Sequence, residues 1–415
     1  MRAPIVLLLS GSAALLPSAA WGQVAQPLGR TFSVPARSVT LTVSNDLFYD
    51  TNIARGGDAA PRLRGLENED LRVLPTASLD MTLPRGRASI TTRGSIGYDS
   101  YARNSRLNRE RITFGAQAKL PVAFCTVAPN VAYARRQSDL IDLSVIPDVS
   151  AGSAENVQTL KEVGATLLCG PDIGIRPSAH FRYAETANSA RLRRGQDFEE
   201  VRYGSELNYA QPSIGIVTIF VQRRDFTYDQ RRRLAATQVL TFRITSAGVR
   251  FDRRLGAPLQ LVGSISYSDL GSPVSLRGAE RYDGLNWDLS ATLRLGGRVL
   301  LAAETDRALA VSPGFSSDFV RQTNYVGSFT YGLTPLVQVG AALSRAERNF
   351  RLVAVPTGFS ITRDRVDAAT LRLDYARRQV RMSVRGSYQR RASDNDLFDY
   401  EGAQATLSVS YMFKR

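Results

Sequence analysis

The single histidine of the 415-residue chain is the first candidate for chemistry. His180 lies in the sequence RPSAHFR, residues 176–182, and the chemistry to consider for it is serine–histidine catalysis. If this segment is a strand, its side chains alternate, so His180 shares a polar face with its flanking arginines while Phe181 lies on the apolar face. A histidine that cleaves lipid would have to lie on the apolar face. We therefore interpret His180 as a residue of a polar wall, and we expect that the protein is not an enzyme.

Metal and cofactor chemistry lack the residues that they need. One histidine and two cysteines are too few for the usual ligand sets of transition metals. The chain also has no glycine-rich phosphate loop and no dinucleotide-binding fingerprint. We expect no metal site and no cofactor.

Arginine supplies nearly all of the positive charge. The chain has 53 Lys and Arg residues against 38 Asp and Glu, a net charge of +15, and its only lysines are Lys119, Lys161 and Lys414. Guanidinium groups bind phosphates and carboxylates through paired hydrogen bonds. A basic chain can bind nucleic acid, but the export signal described below argues against that partner. We expect no nucleic acid, and instead anionic groups on lipids, sugars or solutes.

The elements that position these residues are alternating strands, and the clearest is at the C-terminus. From residue 403 to residue 413 apolar and small polar side chains alternate, as expected for a strand with one apolar face. The apolar face consists of Ala403, Ala405, Leu407, Val409, Tyr411 and Phe413. The same alternation occurs in residues 73–83, 88–98, 112–120, 259–267, 285–295 and 380–388.

The connections between these segments also alternate, between short turns and long loops. Short turns lie near residues 84, 121, 170, 212, 255, 296, 335 and 378, and longer loops lie between them. This pattern predicts an all-β fold, a transmembrane antiparallel up-and-down β-barrel of about eighteen strands, with sixteen also possible, short periplasmic turns and longer extracellular loops. A pair of soluble β-sandwiches would alternate too, but it would need no systematic pairing of short and long connections. Tyr and Trp at both strand ends also favour the barrel.

The N-terminus has the features of an export signal. Arg2 precedes an apolar run, and small residues Ala20 and Gly22 flank Trp21 before Gln23. We predict a cleaved signal peptide at 1–22, a periplasmic N-terminal lead-in at 23–37 and the barrel at 38–415. The alternative is a membrane anchor, but its apolar stretch is broken by Ser10–Ser12 and Pro17 and is short for a bilayer of ~30 Å.

Arginines at polar-face positions would line the lumen of such a barrel. They are Arg93, Arg294, Arg372, Arg381 and Arg385, interleaved with Asp80, Asp288 and Asp374. Two interpretations are open. The arginines either pair with these carboxylates across the wall, or they leave a net positive wall that favours anions. Arginines of the loops, at 191, 193, 194 and 231–233, are expected to contact lipopolysaccharide phosphates instead.

The two cysteines lie where neighbouring strands should meet. Cys125 begins the strand after Pro121, and Cys169 ends the next strand, before Gly170. Antiparallel neighbours that face the same way have Cα atoms about 4.5–5.5 Å apart, which is within disulfide reach. We predict a disulfide between them, and the alternative is two free thiols. An oxidising periplasm would preserve the bond.

Two segments resemble known families. The strand that ends in Tyr411 and Phe413 resembles the C-terminal assembly signal of bacterial outer-membrane barrels, although Lys414 and Arg415 follow it here. That resemblance implies a Gram-negative outer membrane and recognition by the barrel-assembly machinery. The YDTNI sequence at residues 49–53 resembles the start of β-barrel porins found with exopolysaccharide-export genes. It implies a pore or accessory protein in polysaccharide export, with export components as partners.

Two other functions remain open from the sequence. The barrel could be a general small-solute porin that prefers anions, or a structural or adhesive barrel without transport. No feature of the sequence identifies the solute.

Overall fold

The computed structural model describes residues 36–57, 61, 64–138, 155–230, 241–271, 282–311, 317–352 and 361–414. The predicted signal peptide and most of the predicted lead-in lie outside these residues. Eighteen strands fill most of the described chain. Their bounds are β1 Ser38–Asp50, β2 Asp70–Arg85, β3 Ala88–Tyr101, β4 Arg109–Val122, β5 Cys125–Gln137, β6 Val157–Cys169, β7 Gly174–Asn188, β8 Phe198–Gln211, β9 Gly215–Thr227, β10 Thr241–Leu255, β11 Leu259–Gly271, β12 Tyr282–Leu295, β13 Val299–Val311, β14 Ser317–Gly332, β15 Val337–Leu352, β16 Arg363–Arg377, β17 Val380–Ser393 and β18 Tyr400–Lys414.

The strands form one closed antiparallel barrel. Each strand pairs with its neighbours in sequence, and β1 also pairs with β18, with Thr40 opposite Lys414 and Asp50 opposite Gln404. Closure leaves no exposed sheet edge, so every strand has two hydrogen-bonding partners. The predicted fold class and the count of eighteen strands are confirmed.

The barrel has an apolar outside and a polar inside. Leu343 and Leu371 on the outside are 67% and 69% exposed, and the residues on either side of each along its strand point inward. The inner face carries Ser, Thr, Asn and charged residues, as expected for a wet lumen. Among the described residues, no helix combines the length and the apolar character needed to cross a membrane.

The two ends of the barrel differ. We call the end with the short connections the turn end and the other the loop end. At the turn end, Gly86 and Gly296 adopt left-handed φ angles of 59° and 55°, which glycine tolerates without strain. Short 3₁₀ helices at Ser105–Leu107, Arg191–Gln196 and Asp396–Phe398 lie at the loop end.

The buried apolar side chains collect at the loop end rather than in a central core. One cluster contains Phe226, Tyr228, Phe242 and Ile244, with the rings of Phe226 and Phe242 5.2 Å apart. The alternation in the sequence becomes irregular around β10 because Phe242 and Ile244 point inward here, where apolar residues are not expected. The pairing of β10 with β9 and β11 nevertheless has no shift of register.

Candidate functional site

A row of arginines crosses three successive strands on the inner face. Arg182 of β7 lies opposite Arg202 of β8, and Arg202 lies opposite Arg224 of β9. Directly opposed side chains in a ladder are close neighbours, and like charges in such positions repel each other. The row therefore places three guanidinium groups at one height of the lumen wall.

Two carboxylates accompany this arginine row. Arg182 Nη2 lies 2.6 Å from Glu162 Oε2, while Glu200 Oε1 accepts hydrogen bonds from Arg202 Nη2 at 2.9 Å and Arg224 Nε at 2.7 Å. The three arginine side chains keep about a fifth of their surface accessible. With three guanidinium groups and two carboxylates, this part of the wall has a net positive charge that solutes in the lumen can reach.

A second pair of inward arginines lies on the far side of the seam between β1 and β18. Arg372 of β16 lies opposite Arg385 of β17, and Arg372 Nε is 2.8 Å from Asp374 Oδ2. On β3, Arg93 Nε is 2.8 Å from Asp80 Oδ1 in a solvent-exposed pair. Both expected arrangements therefore occur, pairing across the wall and opposed arginines.

The five predicted lumen arginines do not form one ring. Arg372 and Arg385 are neighbours, and Arg93 is separated from them by β18, β1 and β2. Arg294 and Arg381 lie at the turn end, near the last residue of β12 and the first residue of β17. The arginine row Arg182–Arg202–Arg224 is not among the five.

The charge around the lumen is uneven. Asp288 of β12 lies opposite Asp306 of β13, and the Asn324 amide donates to both carboxylate oxygens of Asp306, at 3.1 and 3.0 Å. Glu304 lies on the same inner face two residues before Asp306. This acidic section lies between the arginine row on β7–β9 and the arginine pair on β16 and β17, so the anion-favouring surface covers only part of the wall.

Arginines also meet inside the loop end. Arg64, in the loop between β1 and β2, and Arg193, in the 3₁₀ helix between β7 and β8, are each only 2% exposed. Burial, together with the nearby charges of Arg391 and Arg193, lowers the pKa of Arg64 to about 10. Arg193 Nη1 donates to Ser138 Oγ at 2.7 Å. The expectation that Arg193 contacts lipopolysaccharide is therefore wrong, because its side chain is buried within the protein.

His180 lies on the inner face, as its alternation indicates. Its Nδ1 is 4.0 Å from Glu206 Oε1. Ser178 Oγ donates to Glu206 Oε2 at 3.3 Å, and Arg250 Nη1 donates to Glu206 Oε1 at 3.3 Å. Within the described residues no hydrogen bond joins Ser178 to His180, so the geometry of a serine–histidine pair is not formed.

The two cysteines lie opposite each other on β5 and β6 at the turn end. In the structure the Cys125 and Cys169 sulfurs are bonded, and their Cα atoms are 4.0 Å apart.

The predicted assembly signal lies on the outer face of β18. The rings of Tyr411 and Phe413 are 4.6 Å apart, and Phe413 lies opposite Leu41 at the seam.

The YDTNI sequence lies at the loop end of the seam. Asp50 accepts a hydrogen bond from Arg55 Nη2 at 2.5 Å, from the Asn52 backbone N–H at 2.9 Å and from Gln404 Nε2 at 2.6 Å. Asn52 Nδ2 donates to the Glu401 carbonyl at 2.9 Å. The segment therefore joins the first strand to the last, which is a structural role rather than a binding site for a solute.

Alternation alone could have found the missed arginines. Arg202 directly precedes the exposed Tyr203, and Arg224 follows the outward Arg223. Each therefore falls on the inner face. Their assembly into one row depends on strand register, which alternation does not provide.

Comparison with known proteins identifies the fold. No family model matches the sequence, and no curated protein matches it. Among solved structures, a BenF-like porin from Pseudomonas fluorescens Pf-5 has a TM-score of 0.51 and 12% identity over 93% of this chain and 100% of that one. Pseudomonas aeruginosa OccK2 (OpdF), in complex with glucuronate, has a TM-score of 0.50 and 12% identity over 91% of this chain and 98% of that one. The chain thus has the eighteen-stranded barrel fold of outer-membrane porins.

Proposed function

We propose that the protein is an outer-membrane porin that passes small anionic solutes, with carboxylates as the favoured class. The observation that carries this proposal is the arginine row Arg182–Arg202–Arg224, which has more positive than negative charge and is open to the lumen. A barrel of this strand number leaves an aqueous channel. Charged rings in such a channel select ions of opposite sign by electrostatics.

The structural neighbours support a small solute. One of them, OccK2 (OpdF), is in complex with glucuronate, a small sugar whose carboxylate a guanidinium can bind with two hydrogen bonds. The expectation of exopolysaccharide export depended on the YDTNI sequence. In the structure, Asp50 and Asn52 of that sequence form hydrogen bonds that join β1 to β18. No other feature of the described residues favours a polymer, so we adopt the small-solute function.

Two segments of the chain are expected to direct the protein to the outer membrane. We expect residues 1–22 to direct export and the Tyr411–Phe413 strand to be recognised by the barrel-assembly machinery. The mature protein should then be in the outer-membrane fraction and should begin at Gln23. Amino-terminal sequencing of the protein from that fraction would test both expectations.

The decisive experiment is a reversal potential across a planar bilayer under a potassium chloride gradient. The wild-type channel should prefer chloride, and Arg224→Gln should reduce that preference because it removes one of three guanidinium groups and leaves the Arg202–Glu200 pair intact. Arg223→Gln is the matched control, since its side chain is next in sequence but points outward. A cation-selective wild type, or an equal shift in both variants, would contradict the proposal.

A liposome-swelling assay would test the solute class. Glucuronate and glucose are similar in size and differ in the carboxylate, so glucuronate should enter faster in the wild type and lose that advantage in Arg224→Gln. Equal rates for the two sugars in the wild type would show that the arginine row does not select carboxylates.

A further inference from the structure

The outward face of β13–β17 has an excess of arginines near the loop end. On this face the described side chains include five arginines and two carboxylates. We call this surface the arginine wall, and it consists of Arg307, Arg345, Arg363, Arg365 and Arg390 with Glu347 and Asp367. Outward residues do not contact a solute in the lumen, so the proposed channel function leaves these arginines unexplained.

At the centre of the arginine wall, one carboxylate holds two guanidinium groups. Asp367 accepts a hydrogen bond from Arg345 Nε at 2.7 Å and forms a salt bridge with Arg365 Nε at 2.9 Å. In the described part of the chain, the terminal Nη groups of these two arginines form no hydrogen bond to another residue. Arg390 lies opposite Asp367 on the next strand. The remaining N–H donors therefore face the membrane surface, where they can bind further anions.

Two other carboxylates border this centre. Glu347 lies opposite Arg365, and Glu401 of β18 lies opposite Arg390 and accepts a hydrogen bond from Tyr388 Oη at 2.6 Å. They reduce the positive charge locally. The arginine wall itself still has three more arginines than carboxylates.

The rest of the barrel provides an internal comparison. On the outward face of β4–β10 near the loop end, four basic and four acidic residues balance: Arg135, Lys161, Arg223 and Arg243 with Glu110, Glu185, Glu199 and Asp225. Several of these form close pairs, such as Arg135 Nε with Glu110 Oε1 at 2.6 Å. The outward face of β4–β10 therefore lacks the excess of positive charge that the arginine wall has.

The apolar surface next to the arginine wall has a shape that fits acyl chains. Leu343 and Leu371 form a protruding ridge, 67% and 69% exposed. Gly327 and Gly386 lie on the strands to either side, and a Cβ atom added to either would have open space around it. The ridge is thus flanked by two shallow grooves that lead towards the arginines.

We infer that the arginine wall binds lipopolysaccharide, with the lipid A phosphates on Arg345, Arg365 and Arg390 and acyl chains in the grooves at Gly327 and Gly386. The long loops of a barrel face the cell exterior, which places the wall at the level of the outer-leaflet head groups. Clusters of basic residues at a membrane surface bind anionic head groups. Guanidinium–phosphate hydrogen bonds are among the strongest that side chains form.

The test compares the full-length barrel with two triple variants, after extraction in detergent and removal of bound lipid. The binding variant is Arg345→Gln/Arg365→Gln/Arg390→Gln. The control variant is Arg135→Gln/Lys161→Gln/Arg223→Gln on the balanced side. Lipopolysaccharide is added, and the retained lipid is quantified by native mass spectrometry. Loss of several charge-assisted hydrogen bonds should lower retention by about tenfold or more in the binding variant, whereas the control should match the wild type.

A second lipid and a second variant keep the test decisive. Lipopolysaccharide stripped of its lipid A phosphates should bind the wild type as weakly as intact lipid binds the arginine variant. If the arginine variant fails to fold, Gly327→Leu/Gly386→Leu fills the grooves without changing charge and should also reduce retention. Equal retention in the wild type and the variants, or no effect of phosphate removal, would overturn the inference. Ion selectivity should be unchanged in every folded variant, because the lumen is untouched.

Discussion

Asp50 at the barrel seam offers the sharpest prediction about stability. It is the last residue of β1, and it is 6% exposed. Four hydrogen bonds end on its carboxylate, from the Asn52 backbone N–H, from Arg55 Nη1 and Nη2, and from Gln404 Nε2. Replacing it with asparagine keeps the shape but removes the charge and one acceptor oxygen.

The expected cost follows from the burial of its partner. Arg55 is 7% exposed, so Asp50→Asn leaves a buried guanidinium without its carboxylate. Removing one partner of a buried ion pair typically costs about 3–5 kcal/mol. Because asparagine retains part of the hydrogen bonding, we expect a loss of about 3 kcal/mol in the free energy of unfolding. Asp46→Asn is the control, since Asp46 is on the same strand and face but forms no ion pair with any described residue, and it should change stability by less than about 0.5 kcal/mol.

Equilibrium unfolding in urea, with the barrel folded into lipid vesicles, would measure both values. Arg55→Gln should cost a similar amount, and the double variant should cost clearly less than the sum, because the two residues act as one pair. If Asp50→Asn is no more destabilising than Asp46→Asn, the seam does not depend on this ion pair and the structural interpretation of YDTNI fails.

Three further predictions concern the wall of the barrel. Thiol alkylation of the denatured, unreduced protein should label neither Cys125 nor Cys169, and two labelled cysteines would rule out the disulfide. Closing this loop should stabilise the fold by about 4 kcal/mol in the chain-entropy model. Leu371→Arg should block insertion into liposomes, because an outward charge in the bilayer costs ~2–4 kcal/mol. Ser290→Arg should insert normally, because its side chain faces the lumen. Equal yields of inserted protein for the two variants would refute the assignment of faces. Glu200→Gln should increase the chloride preference and lower stability, since it removes the carboxylate shared by two arginines; a fall in chloride preference would contradict the proposed role of the arginine row.

The sequence by itself determined most of the strands, a number of about eighteen and, where the alternation is regular, the face that each residue occupies. In the C-terminal strand, Leu407 and Val409 alternate with Thr406 and Ser408, and the structure exposes the first pair on the outside. This succeeds because the two faces of a barrel wall meet different solvents, so a period of two is imposed on almost every strand. The same local signal placed Cys125 and Cys169 on one face of neighbouring strands.

Only the tertiary structure decided which residues meet. Alternation assigns Arg182, Arg202 and Arg224 to the lumen, but a shift of two residues in any pairing would keep that face and separate them. The contact of Asp50 with Gln404 joins residues 354 apart in the chain and exists only because the barrel closes. Alternation is local and reflects the solvent on each side of the wall. Register, closure and the burial of loop residues such as Arg64 depend on the whole ring of strands.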